Sequence, residues 1–221
     1  MSTAISIRFL SGRFHATPWG RHVNEDAPEW PPAPWRILRA LVAAWKGCGD
    51  RLVADGVMAS VLKKLAAPPS YALPPASVGH SRHYMPLFSG DRTMVFDKFV
   101  VVDREERLVV VWPDVNLNEA EAMALDRVLP RLSYLGRAES WCEVVRADMP
   151  SLIKCKPIYR SDALKGERIR LLGPRAGAPR WVMDSGFDLQ SRCKVRLPWA
   201  TFPRSYDRGP IEAGCLSVTA R

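Results

Sequence analysis

The prolines constrain this chain before any apolar pattern does. Pro18, Pro28, Pro31, Pro32 and Pro34 crowd one stretch, and Pro68, Pro69, Pro74 and Pro75 crowd another. Proline lacks the N–H that helices and inner strands use, so neither stretch suits a helix interior or a central strand. Regular structure has to come from the segments between and beyond them. Pro34 suits the first turn of a helix. The sequence 35–47, WRILRALVAAWKG, then sets Trp35, Leu38, Val42 and Trp45 on one face and Arg36, Arg39 and Lys46 off it. A second helix is predicted over 50–66, stopping before Pro68.

Strands are predicted where apolar residues alternate or run together. Residues 4–14 open with Ile5, Ile7 and Phe9 at alternate positions. Two apolar runs, 93–103 and 107–112, flank Arg104-Glu105-Glu106 and read as a hairpin. A third helix is expected over 116–132, with Asn118 as its cap and Glu119 and Glu121 in its first turn, and Pro130 predicts a break near its end. Residues 139–147 read as a final strand. The resulting order is that of an α+β, ferredoxin-like or RRM-like βαββαβ domain over 1–150. Residues 68–92 form a long aperiodic insertion between the first helical region and the second strand. Residues 151–221 read as a small basic β-rich extension, with short strands at 167–172, 180–183 and 193–197.

Charge is uneven along the chain. The net charge of +9 divides into +1 over residues 1–150 and +8 over 151–221, with 24 Arg against 8 Lys. Arginine offers a planar fork that matches phosphate and stacks on bases, so a polyanion is the expected partner. No apolar run is long enough for a membrane span, and the N-terminus has no secretory h-region, so the cytoplasm is expected. Five cysteines without a CxxC pair argue against a disulfide framework or a thiolate zinc site. Motifs for triphosphates and dinucleotides are absent, as is GxSxG, and no cofactor or metal is expected.

Three residue groups carry potential chemistry. His80, Ser81, Arg82, His83 and Tyr84 place imidazoles, a cation and a phenol within one short stretch. They suit gripping phosphates and stacking on bases. Either imidazole could instead serve as the base of a metal-independent ribonuclease, or merely hydrogen-bond within a loop. Gly136-Arg137 falls at a turn before the last strand, as a site of close backbone approach or an ordinary helix cap. The stretch 173–181, GPRAGAPRW, is glycine-rich and basic and reads as a solvated loop or as a phosphate contact.

The blocks 11–46, 78–87 (VGHSRHYMPL) and 134–140 (YLGRAES) resemble the type I-G (formerly I-U) CRISPR-associated fusion protein of the RAMP superfamily. That family joins a Cas five-like half to a Cas six-like half, and this chain resembles the first. The resemblance implies a crRNA-binding subunit of a Cascade-type antiviral effector, gripping the 5′ handle and capping the complex. Its partners would be crRNA, the backbone and large subunits, and target DNA through the complex. It implies RNA contacts from Arg13, His15, Arg21, His22, Arg36, Arg39, Gly136 and Arg137, and from His80, Arg82, His83 and Tyr84 on a thumb. For Arg36 and Arg39 a solvated helix face is the simpler reading. The family's ribonuclease belongs to the other half, so cleavage by this chain is not expected. The alternatives are precursor processing by His80 or His83, and a scaffold that binds no RNA.

Overall fold

The computed structural model describes residues 2–18, 28–47, 53–86, 90, 92–157, 167–174 and 208–215. Ile5, Ile7 and Phe9 point into the core from strand β1 (Thr3–Phe9). The chain turns at Gly12 into a short β2 (Arg13–Phe14). Helices α1 (Pro34–Lys46) and α2 (Asp55–Leu65) follow. Next come β3 (Ser70–Ala72), β4 (Ala76–Pro86), β5 (Arg92–Val102) and β6 (Leu108–Trp112). Helix α3 (Glu119–Val128) leads to β7 (Cys142–Arg146), and β8 (Cys155–Pro157), β9 (Glu167–Pro174) and β10 (Arg208–Cys215) come last.

These strands make a seven-stranded sheet, β7-β1-β6-β3-β8-β10-β9, and a three-stranded one, β2-β5-β4. Within the large sheet, β1, β3, β6 and β7 are the four strands of the βαββαβ unit. The helices α1 and α2 cross from β1 to β3, and α3 crosses from β6 to β7. All the pairings are antiparallel. The ferredoxin-like α+β fold is therefore present, with β8, β10 and β9 extending the same sheet beyond β3. The expected strands at 180–183 and 193–197 lie outside the described residues.

Two details differ from the sequence reading. The runs at 93–103 and 107–112 do not form a hairpin with each other. Instead β5 pairs along its whole length with β4, from Ala76↔Val102 to Pro86↔Arg92, while β6 pairs with β1 and β3. Asp103 redirects the chain between the two sheets: its carboxylate accepts the Glu105 N–H and its carbonyl the Glu106 N–H. A run of valines marks burial and says nothing about which strand lies alongside. Secondly, 68–92 is not aperiodic. It holds β3, too short to show a period between its flanking prolines, and β4, exposed over much of its length. The excursion from the ferredoxin framework thus leaves after the second strand, not after the helical region.

Helix boundaries also tighten. The predicted 50–66 helix is Asp55–Leu65, and the predicted 116–132 helix ends at Val128, with Pro130 inside a 3-10 turn over Leu129–Arg131. Asn118 caps α3, as the sequence predicts, and Glu121 returns the bond to make a reciprocal capping box that the sequence reading did not include. Ile37, Leu38, Leu41, Val42 and Trp45 of α1 pack with Leu62 and Leu65 of α2 and Leu125 of α3 in one core. Each such side chain contributes about 1.5–3 kcal/mol by leaving water. Among the described helices none is long and apolar enough to cross a membrane.

Helix α1 starts on Pro34 without a side-chain cap from Ala33. Glu29, itself buried, takes over: its carboxylate accepts the Ala33 N–H at 2.8 Å at the positive end of the helix. Arg36 grips the same carboxylate through Nε at 2.7 Å and Nη2 at 3.0 Å and also donates to the Thr17 carbonyl. The Glu29 N–H donates to the Ala16 carbonyl. Tyr71 Oη closes the same region on the Pro32 carbonyl, and the Trp30–Pro31 peptide is cis.

Candidate nucleic-acid interface

The β4–β5 ribbon positions the candidate residues. Directly paired residues in an antiparallel ladder share a face, so His80↔Lys98, Arg82↔Phe96 and Tyr84↔Met94 line one side. His80, Arg82 and Tyr84 are exposed there, Tyr84 at 67%, and the Arg82 guanidinium lies 5.3 Å from the Phe96 ring centroid. Cations and rings alternate along this face, and exposed aromatic and guanidinium planes of this kind accept unstacked bases. His83 sits opposite Val95, and its side chain falls outside the described residues.

The other face of β5 turns toward the body of the protein and holds a second cluster. Asp97 and Phe99 are buried there. Arg137 Nη1 lies 3.2 Å from Asp97 Oδ1, and the Arg13 guanidinium stacks 3.9 Å from the Phe99 centroid. Gly79, opposite Phe99, leaves room for that ring, since a Cβ there would come within 2.6 Å of it. His15 sits between these groups, 4% exposed. Its Nδ1 is 2.6 Å from Glu139 Oε1 and its Nε2 is 3.9 Å from Asp97 Oδ1.

Burial pushes the Glu139 carboxyl up, but its own backbone N–H, the His15 ring and the Arg137 charge outweigh this and hold it below its usual range. An ionised carboxylate only accepts, so Nδ1 of His15 carries the proton that bridges them.

Backbone contacts lock this cluster. The Arg137 N–H donates to the His15 carbonyl at 2.9 Å, and the His15 N–H donates to Ser140 Oγ at 2.8 Å. Gly136 takes φ +95°, and a Cβ there would stand 2.5 Å from the His15 carbonyl oxygen. Close backbone approach is therefore its role, one of the two readings that the sequence left open.

The structure thus joins Arg13, His15, Gly136 and Arg137 in one cluster and gathers His80, Arg82 and Tyr84 on one ribbon face. Arg36 is engaged elsewhere, with Glu29, and Arg39 lies on the exposed face of α1. Arg21 and His22 lie outside the described residues. Sequence reasoning missed Asp97, Phe99, Glu139, Ser140 and Glu29. Asp97 did leave a signal, as the lone carboxylate of β5.

On the large sheet, the face that carries Ser6 and Arg8 holds no aromatic ring among the described residues of β1, β6 and β7. Arg8 pairs with Glu143 and Glu105, and Arg107 with Glu143. These pairs offset one another's charge, and exposed rings adjoin the sheet only just outside these strands, at Trp141 and Tyr134. Among the described residues no cluster of His, Cys, Asp and Glu could hold a metal ion.

Fold and site together define a class: a ferredoxin-like α+β chain bearing a projecting ribbon with a cationic and aromatic face. No family model matches the sequence, and no curated protein matches it. Among solved structures, Cas6 of Thermus thermophilus is similar to it at 17% identity, over 65% of this chain and 53% of that one, with a TM-score of 0.35. The chain thus spans about half the length of that neighbour.

Proposed function

We propose that this chain is a crRNA-binding subunit of a type I CRISPR effector complex, gripping the 5′ handle of the crRNA and contacting the other effector subunits. The reading begins in the sequence resemblance. The observation that carries it is the ribbon face on which His80, Arg82, Tyr84, Met94, Phe96 and Lys98 follow one another in register. A single strand laid along it would find rings for its bases, and the Arg82 guanidinium and the Lys98 ammonium for its phosphates. The function is grip, and no chemical step is assigned to the chain.

Binding of labelled repeat-derived RNA, against a scrambled RNA of equal length, tests this. Stacking on one aromatic contributes about 1–3 kcal/mol, so Arg82→Ala with Tyr84→Ala should weaken repeat binding by roughly tenfold or more. Unchanged affinity, or no preference for the repeat, refutes the assignment. Cleavage of the repeat in excess EDTA to a 2′,3′-cyclic phosphate, lost in His80→Ala, would replace it with the endoribonuclease reading.

A further inference from the structure

Asp97 and Phe99 lie two residues apart on one face of β5, so their anchor points are separated by about 7 Å. Each holds one guanidinium: Arg137 through the 3.2 Å ion pair and Arg13 through the 3.9 Å stack. The two arginines come from distant parts of the chain. His15 brings them together, because it follows Arg13 by two residues and its carbonyl accepts the Arg137 N–H. The stack occupies the flat face of the Arg13 guanidinium and leaves its in-plane N–H fork for oxygen acceptors. Arg137 spends one nitrogen on Asp97 and keeps 31% of its side chain in solvent.

We propose that Arg13 and Arg137 form a clamp for the phosphodiester backbone of a single-stranded RNA at the foot of the β4–β5 ribbon, with Phe99 and Asp97 as the residues that position them. The proposal rests on the RNA-binding reading above and adds a division of labour to it. Bases meet the face with His80, Arg82 and Tyr84, and phosphates meet the foot. Asp97 and Phe99 lie on the face of β5 opposite the one that carries His80, Arg82 and Tyr84, so one bound strand engages both groups by crossing the ribbon. Arginines already fixed by a ring and a carboxylate lose little freedom on binding, which favours affinity. A guanidinium fork matches the two outer oxygens of a phosphate. The buried His15 is then a positioning residue and does not touch RNA. Its imidazole braces the turn that delivers Arg137.

The test measures affinity for a labelled oligouridine and for repeat-derived RNA across a salt series. Each phosphate contact on a single strand contributes about 0.7 to the slope of log K against log salt. Arg13→Gln and Arg137→Gln should each lower that slope by about 0.7 on both RNAs. Asp97→Asn should reproduce the loss of Arg137→Gln, and the two together should lose no more than either alone, as expected of residues acting through one contact. Arg13→Gln removes no ion pair seen among the described residues, so it carries the test even where Asp97→Asn fails to fold. An unchanged slope in both arginine variants overturns the clamp, as does the absence of oligouridine binding by the wild type. If the slopes fall as stated while repeat RNA binds no better than oligouridine, the clamp stands and the crRNA assignment falls.

Discussion

Replacing Gly136 by alanine should cost the fold more than its small size implies. At φ +95° an L side chain is strained by about 1–2 kcal/mol. The new Cβ would also stand 2.5 Å from the His15 carbonyl oxygen, and backbone cannot swing aside as a flexible side chain can. Moving that carbonyl loosens the 2.9 Å bond from the Arg137 N–H, whose net worth is about 0.5–1.5 kcal/mol. The sum is about 1.5–3.5 kcal/mol, a large share of a typical domain stability. Urea unfolding should show a lower midpoint at constant slope, and the thermal midpoint should fall by roughly 3–14 °C. Gly56→Ala supplies the control. It lies in α2 with nothing within 4 Å of its Cβ, and it should stabilise by up to about 1 kcal/mol. If Gly136→Ala unfolds within about 0.5 kcal/mol of wild type, the account of this turn is wrong.

Two further outcomes follow from buried groups. Burial pushes the Glu121 carboxyl up, but hydrogen bonds from Lys64, Ser60 and the Asn118 N–H hold it below the ordinary 4.5. A folded-state value below the unfolded one contributes stability above about pH 4.5 and loses it as the pH falls through the folded value. Glu121→Gln should therefore destabilise by about 1.5–3 kcal/mol at pH 7, and its gap from wild type should narrow in urea titrations below about pH 4.5; a constant gap refutes this. Burial alone pushes the Cys142 thiol up to about 12, so the native protein should protect it from iodoacetamide, with labelling seen by peptide mass only after unfolding.

The ferredoxin core was legible because its signals are local. Pro34 and an apolar stripe announce α1, and Asn118 with Glu121 announces α3. Partnership between strands was not legible. Val100, Val101 and Val102 of β5 look like Val109, Val110 and Val111 of β6, and only the turn at Asp103 decides that they belong to different sheets. Strand β4 escaped notice because it carries His80, Arg82 and Tyr84 into solvent, so no apolar alternation betrays it. The site divides along the same line. Arg13, His15, Gly136 and Arg137 stood in recognisable blocks, whereas Asp97 and Phe99 gained meaning only when the ribbon folded back onto those blocks. Arg36 shows the opposite case: a cation suited to RNA by type, held instead by a buried carboxylate seven residues before it.

The order of strands in the large sheet carries a consequence for synthesis. By the time Arg146 has been made, β7, β1, β6 and β3 can all pair. Strand β10 is made after β8 and β9, yet it lies between them, so among the described residues β9 has no ladder partner in the sheet until Arg208–Cys215 emerges. A ribosome making this chain therefore exposes the outer rim of the sheet through the intervening residues, and slow translation there lengthens the time that unpaired edge can meet another chain.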